Sequence, residues 1–138
     1  MSMCSLYLCA SVVNTSNGPT MPSLTGERTL MRIHIGERDK FQGKPLYEAI
    51  VLRLRQRGMA GATVLRGIMG FGASAGIHSE KVLRLSLDLP VVVECVDTVE
   101  KIEAILPEMD AMVGGGLITL ERARVVIHRG VQSEGREP

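Results

Sequence analysis

The sequence predicts an α+β fold in which strands and helices follow one another in the order β-α-β-β-α-β. Three observations lead to this prediction. Apolar and polar residues alternate in the segments 31–35 and 82–89, which is typical of strands with one buried face. Two longer segments carry apolar residues at helical spacing. Segments that contain glycine or proline separate these periodic stretches, as expected for turns.

The first half of the chain supplies a strand, a helix and a second strand. The alternation over residues 31–35 predicts a half-buried strand, with ordered structure beginning near Leu30. Pro45 suits the first turn of a helix, and Gly58 suits its end. The apolar stripe of this helix consists of Leu46, Ala49, Ile50 and Leu54. The β-branched and apolar run at residues 63–69 then predicts the second strand.

The second half repeats this pattern. After the alternating segment 82–89, Pro90 opens a β-prone run, so it is expected at a strand start or a sheet edge. Asp97 and Glu100 have the spacing of a capping box at the start of a helix. The stripe of that helix is Val99, Ile102, Ile105, Leu106, Met109, Met112 and Val113. Gly114 to Gly116 end the helix, and residues 118–120 and 124–127 supply the last strand.

This element order is the ferredoxin-like split pattern, which places two helices on one face of an antiparallel sheet. The other face carries strand residues that are too apolar to form one flat surface in water. Self-association through that face follows as a hypothesis.

The length of 138 residues is enough for one domain with its own core. We expect residues 1–28 to be a poorly ordered leader, residues 29–130 the folded domain and residues 131–138 a tail. Residues 1–26 carry no charged side chain, and the apolar run 4–13 is too short to span a bilayer. Two alternatives remain open, an upstream start before the true one at Met21 and a cleaved or anchoring segment.

Composition argues against several classes of function. The formal net charge of +1 gives no reason to expect binding to nucleic acid or insertion into a membrane. Aromatic residues make up only 3% of the chain, so stacking platforms for single-stranded nucleic acid are not expected. The three cysteines form no Cys-x-x-Cys pair, which favours a reducing, cytoplasmic compartment.

The glycine-rich stretch at residues 70–76 is the most conspicuous motif. It matches both the G-x-S-x-G pattern of serine hydrolases and a loose dinucleotide-binding fingerprint. Both motifs require a helix directly after the loop, and the sequence predicts none there. The histidines are isolated, so a metal site is not expected, and no nucleophile or acid/base constellation indicates an enzyme. A mobile loop and a ligand-binding loop of another type remain as interpretations.

Two further segments could bind an anion. Gly114 to Gly116 exceed what a helix end requires, and consecutive N–H groups can form an anion-binding nest, with His128 and Arg129 as basic partners. The densely charged loop 36–44 places Arg38, Lys40 and Lys44 just before a helix N-terminus, where they could contact a phosphate or carboxylate. A solvated loop is the alternative for that segment.

The chain from about Leu30 to Arg129 resembles the PII-like proteins, and more narrowly the branch called domain of unknown function 190. The stretches that carry the resemblance are Ile35-Gly36-Glu37-Arg38-Asp39-Lys40, Gly43-Lys44-Pro45-Leu46-Tyr47-Glu48-Ala49-Ile50, Gly61-Ala62-Thr63-Val64-Leu65-Arg66-Gly67, Gly70-Phe71-Gly72, Ile77-His78 and Leu89-Pro90-Val91-Val92-Val93. The resemblance implies a homotrimer that binds adenine nucleotides in clefts between subunits and contacts partner proteins through the loop 70–88. No cofactor is required.

The resemblance also implies site residues. Gly61, Thr63, Gly70, Phe71 and Gly72 would line the cleft, Gly114, Gly115 and Gly116 would cradle phosphate, and His128 and Arg129 would lie near it. Two departures from the PII pattern weaken the prediction that this chain binds a nucleotide. Leu117 follows the glycines where the PII pattern has a lysine among them, and the 73–75 stretch lacks the glutamine of that pattern. The alternative is a ligand-free trimeric module that binds a partner protein, such as a membrane transporter.

Overall fold

The computed structural model describes residues 23–72 and 89–129. The elements of these residues are β1 (Gly26–Gly36), β2 (Lys40–Phe41), β3 (Lys44–Pro45), α1 (Leu46–Gln56), β4 (Ala62–Arg66), β5 (Pro90–Asp97), α2 (Val99–Met112) and β6 (Leu117–Val125). Strands β4, β5, β1 and β6 form one antiparallel sheet in that order, and β2 and β3 form a separate short hairpin. The α+β, ferredoxin-like class is confirmed.

Strand register determines which residues face the two helices. Ile33 lies opposite Val93 of β5 and Ile118 of β6, and Val93 lies opposite Val64 of β4. Side chains along a strand alternate between the two faces of the sheet. Ile33, Val93, Ile118 and Val64 therefore share one face with every second residue along their strands. We call this the helix face and the opposite side the open face.

The core lies between the helix face and the two helices. Both helices contribute to it along a single stripe, as the apolar periodicity predicts, except that Val99 of the predicted stripe is 45% exposed. The buried core residues are Met31, Ile33, Ile35, Leu46, Ile50, Leu54, Val91, Val93, Cys95, Ile102, Ile105, Met109 and Met112. Burial of these side chains, each about 1.5–3 kcal/mol, is the main force that holds both helices on one side of the sheet.

Several element ends differ from the sequence prediction. β1 begins at Gly26 rather than near Leu30, because residues 26–29 pair with the end of β6. The last strand is continuous rather than two short pieces. The helix α2 is capped by Thr98, whose side chain accepts a hydrogen bond from Lys101 N–H, while Asp97 turns inward.

Two predicted ends are confirmed. Pro90 begins β5 and lies inside the sheet order, where its carbonyl accepts a 2.7 Å hydrogen bond from Gly67 N–H. Gly58, with φ of +67°, follows the end of α1. The second strand is shorter than predicted and ends at Arg66. The predicted strand at 82–89 lies outside the described residues except for its last residue, as do residues 1–22 of the leader and the tail.

Candidate functional site

A pocket of about 430 Å³ opens on the open face, at the end of the sheet where β1 begins. Gly61 and Thr63 line it from the start of β4, and His128 lines it from the segment after β6. The sequence prediction thus grouped three residues that the fold brings to one cavity. The other lining residues are Leu24, Leu30, Ala60, Ala62, Glu94, Cys95, Val96 and Val125. Arg129, also predicted, directly follows His128 and is exposed.

The walls of this pocket are mostly apolar, and Glu94 is its acidic side chain. Arg32 Nε donates a 2.7 Å hydrogen bond to Glu94 Oε1, and Arg32 also pairs with Glu121 on the other side. The hydrogen bond to Glu94 raises the pKa of the Arg32 guanidinium. These two ion pairs connect β5, β1 and β6 across the open face. The Glu94 carboxylate that lines the pocket therefore already has a cationic partner, Arg32.

Thr63 lies directly opposite Glu94 in the pairing of β4 with β5. Its hydroxyl can donate and accept, whereas the ionised carboxylate only accepts. Together with apolar walls, these groups suit a flat ring that carries both hydrogen-bond donors and acceptors. The sequence prediction included Thr63 but not Glu94, because the pairing of these two residues depends on strand register.

A buried carboxylate anchors the loop that carries two of the pocket residues, Ala60 and Gly61. Asp97 is 1% exposed, and its Oδ2 accepts a 2.9 Å hydrogen bond from Ala60 N–H while Oδ1 accepts one of 2.8 Å from Thr98 N–H. Lys101 Nζ lies 3.5 Å from Asp97 and donates to the Gly58 carbonyl at 2.8 Å. Asp97 therefore holds the loop before β4, which carries the pocket residues, against the start of α2.

Burial of Cys95 next to this carboxylate raises the pKa of its thiol to about 11, with desolvation as the larger cause. The thiol is therefore protonated at neutral pH and is a poor nucleophile.

The remaining predicted site residues lie at the other end of the sheet. Gly70 packs on Pro90, where an added Cβ would lie 2.9 Å from the proline ring, and Pro90 pairs with Gly36 at the end of β1. Phe71 and Gly72 follow in the exposed stretch, and the Phe71 side chain is 96% exposed. From Leu30 in the pocket to Gly36 is roughly 20 Å along the strand.

The three glycines after α2 lie at this far end but do not have the same role. A Cβ on Gly116 would lie 2.4 Å from the His34 carbonyl oxygen, and the φ of Gly116 is +148°. Both features require glycine at this position. Gly114 and Gly115 have ordinary φ values and open space at the Cβ position. Among the described residues, nothing sterically requires glycine at these two positions. The predicted anion-binding nest therefore depends on Gly114 and Gly115.

The charged loop also lies beyond the end of β1. Asp39 Oδ2 accepts from Gly36 N–H at 2.8 Å, and Leu46 N–H donates to the Asp39 carbonyl, which closes the loop onto the start of α1. The hairpin turn uses positive φ at Gln42 and Gly43, as a type I′ turn requires. The predicted anion contacts Lys40 and Lys44 are exposed on this hairpin, and Arg38 lies in the turn before it.

The predicted site residues thus form two groups, which we call the pocket group and the far group. The pocket group is Gly61, Thr63, His128 and Arg129, and the far group is Gly70, Phe71, Gly72, Gly114, Gly115 and Gly116. One copy of the chain does not bring the two groups into contact. The sequence prediction missed the apolar wall residues Leu24, Leu30, Val96 and Val125 and the acidic Glu94. Strand register reveals the place of the strand residues among them, whereas Leu24 lies before β1.

The described residues lack two kinds of feature. They contain no cluster of three or more histidine, cysteine, aspartate or glutamate side chains that could hold a metal ion. Neither described helix is long and apolar enough to cross a membrane.

The sheet order, the two helices on one face and the pocket on the other define a ferredoxin-like α+β protein with a candidate binding site. Comparison with known proteins narrows this class. The family model for domain of unknown function 190, described as an uncharacterized ACR, matches residues 28–125. A UPF0166 protein of Aquifex aeolicus (strain VF5) is 42% identical over 100 residues, which cover 72% of this chain and 94% of the relative.

Another relative, a UPF0166 protein of Methanocaldococcus jannaschii, is 38% identical over 97 residues, or 70% of this chain and 89% of the relative. A second Aquifex aeolicus UPF0166 protein is 36% identical over 99 residues, or 72% of this chain and 97% of the relative. The chain belongs to the domain of unknown function 190 family, and the resemblance seen in the sequence is confirmed.

Proposed function

We propose that this protein is a PII-like regulatory protein that forms a homotrimer and binds an adenine-type nucleotide in the clefts between its subunits. The observation that carries the proposal is the separation of the pocket group from the far group. A site built from both groups needs two copies of the chain, with the pocket of one copy meeting the far end of the next. Such a head-to-tail contact closes into a ring when the rotation between copies allows it.

In this proposal the adenine ring enters the pocket. The apolar side chains Leu30, Val96 and Val125 line the pocket that takes the ring, and Thr63 offers a hydroxyl that matches either a ring nitrogen or the amino group. The phosphates point out of the pocket toward His128 and Arg129. The Arg129 guanidinium supplies charge-assisted hydrogen bonds there, which are about twice as strong as neutral ones.

The neighbouring copy supplies the second half of the site. The backbone N–H groups of Gly114 and Gly115 can approach phosphate oxygens closely because no side chain intervenes. The segment Gly70-Phe71-Gly72 forms the base of the loop 70–88. A nucleotide that contacts this segment therefore biases the arrangement of the loop. A ligand shifts such an equilibrium only through its differential affinity for the two arrangements.

A second candidate function is a trimeric module that binds a partner protein, such as a membrane transporter, without a small ligand. The specific observation in its favour is the exposure of three apolar side chains around the start of the loop 70–88. Ile68, Met69 and Phe71 are 92%, 73% and 96% exposed. Apolar patches of this kind mark protein–protein contact sites. We propose no enzymatic activity for either candidate.

A thermal-shift screen with ATP, ADP, AMP, cyclic AMP and cyclic di-AMP, with and without magnesium, tests the leading proposal. A ligand at one hundred times its dissociation constant adds about 2.7 kcal/mol to the free energy of unfolding. A shift with one of these nucleotides supports a nucleotide sensor and names its ligand. No shift with any of them, together with capture of a partner by the ligand-free protein, favours the second candidate.

A further inference from the structure

Arg28, near the start of β1, is a half-buried arginine that takes part in none of the ion pairs of the described residues. Its neighbour Glu27 offers it a backbone carbonyl rather than a carboxylate. Residues 1–22, which precede the described part of the chain, contain no aspartate or glutamate. The segments next to Arg28 therefore do not balance its charge.

The contacts of the Arg28 guanidinium leave one of its edges poorly satisfied. Nη1 donates to the Glu27 carbonyl at 2.6 Å, whereas Nη2 donates to the Ser23 carbonyl at 3.4 Å, which is long for a hydrogen bond. Nε is buried and has no hydrogen-bond partner among the described residues. Nε–H and Nη2–H point in the same direction, with the spacing of two oxygens of one carboxylate or phosphate. The poorly satisfied edge is thus the one that is shaped for an oxyanion.

This edge lies beside the pocket. Arg28 and Leu30 share the open face of β1, and Leu30 lines the pocket. The guanidinium extends toward the end of the sheet, since a Cβ on Gly26 would lie 3.8 Å from Nη1. Gly26 pairs with Val125, another lining residue, and the chain after Val125 leads to His128. The Arg28 guanidinium is therefore at the rim of the cavity, where the segment after β6 leaves the sheet.

The other charges of the pocket do not explain this arrangement. Glu94, its acidic side chain, already pairs with Arg32 at 2.7 Å. Buried donors without a partner are rare in folded proteins, because such a donor has lost its contact with water. For a cation, an anion is the partner that compensates this loss best.

We propose that Arg28 binds the anionic group of a ligand whose ring lies in the pocket. The anion replaces the Ser23 carbonyl at Nη2 and accepts hydrogen bonds from Nε and Nη2 together. The apolar walls lower the local dielectric constant, which strengthens this ion pair. The ligand class is a flat, mostly apolar ring that carries a phosphate-type oxyanion. The choice of adenine as the ring and of a nucleotide phosphate as the anion rests on the function proposed above.

The test uses two pairs of ligands that differ in an anionic group. The first pair is the fluorescent dye 8-anilinonaphthalene-1-sulfonate and its neutral analogue N-phenyl-1-naphthylamine, and the second is AMP and adenosine. Arg28→Gln removes the charge, and Arg28→Lys keeps the charge without the fork of two parallel donors. Arg55→Gln is the matched control, because Arg55 is exposed on α1 and does not line the pocket. Thermal unfolding establishes that each variant is folded.

We expect Arg28→Gln to weaken binding of the sulfonated dye and of AMP about tenfold, because it removes hydrogen bonds that join two charged groups. Arg28→Lys should weaken both by less, since the charge remains. Neither variant should change the affinity for the neutral dye or for adenosine. Arg55→Gln should change the affinity for none of the four ligands.

A purely structural role of Arg28 in the turn before β1 would make Arg28→Gln weaken all four ligands alike, and this result would overturn the proposal. Wild-type binding of the sulfonated dye no tighter than that of the neutral dye would overturn it as well. If no variant binds AMP or adenosine while Arg28→Gln selectively loses the sulfonated dye, the anion site stands and the nucleotide function is refuted. If the wild type and Arg28→Gln bind AMP equally tightly, the nucleotide function stands and Arg28 is not its anion contact.

Discussion

Removal of the Asp97 carboxylate should destabilise the fold and the pocket together. In Asp97→Ala, Ala60 N–H and Thr98 N–H lose an ionised acceptor at 2.9 and 2.8 Å. Hydrogen bonds to a charged group contribute about 1.5–3 kcal/mol each, and both amides are only partly buried, so water recovers some of the loss. The expected loss in the free energy of unfolding is about 3 kcal/mol. The Lys101 contact adds little, since that side chain is 47% exposed.

Urea unfolding followed by circular dichroism measures this loss directly. For a domain of this size, about 3 kcal/mol corresponds to a fall of roughly 12–24 °C in Tm. Asp97→Asn retains one acceptor oxygen and should lose about half as much. Asp110→Ala, at an exposed position on α2, is the matched control and should stay within about 0.5 kcal/mol of the wild type. A loss below about 0.5 kcal/mol in Asp97→Ala would refute the role of this carboxylate as an anchor of the 58–61 loop.

Two further predictions concern the glycines after α2 and the buried thiol. Gly116→Ala should cost about 3 kcal/mol of stability, because its Cβ meets the His34 carbonyl at 2.4 Å and its φ is positive, whereas Gly115→Ala should be nearly neutral; equal urea midpoints would contradict this. Because burial raises the Cys95 pKa from 9.0 to about 11, the folded state holds its proton where the unfolded state has lost it, so stability should fall between pH 9 and pH 11. Cys95→Ala should flatten that part of the pH profile, and a profile identical to the wild type would show that the thiol does not contribute.

Much of the fold followed from periodicity alone. The alternation around Ile33 and the stripe through Ile102, Ile105 and Met109 predicted a strand and a helix that the structure confirms. The early start of β1 did not follow, because Gly26 and its neighbours have weak strand propensity and are held by pairing with β6. Asp97 resembled a helix cap in sequence. Its burial against the Ala60 amide depends on a contact 37 residues away, which no local pattern encodes.

The candidate site was only partly predictable for a similar reason. Gly61 and Thr63 meet His128 in one pocket although His128 lies 65 positions after Thr63 in the sequence, and the family resemblance grouped them. Glu94 and Val96 were overlooked because they look like ordinary strand residues until the register shows which face they occupy. Leu24 lies before the family match, so no resemblance could indicate its place in the pocket.

Subunit mixing tests most directly whether the site is shared between two copies. Gly61→Phe fills the pocket and Gly115→Asp places a carboxylate in the proposed phosphate nest, and the backbone has room for a side chain at both positions. Each variant alone should bind no ATP. Because a shared site needs an intact pocket from one copy and an intact nest from its neighbour, equal random mixing restores about one quarter of the sites in a head-to-tail ring.

Calorimetric titration of the mixed oligomer, with mixing verified by native mass spectrometry, measures this fraction. We predict about one quarter of the wild-type ATP sites, with wild-type affinity. No recovered site in a verified mixed oligomer, while the wild type binds ATP, would contradict a site built between subunits.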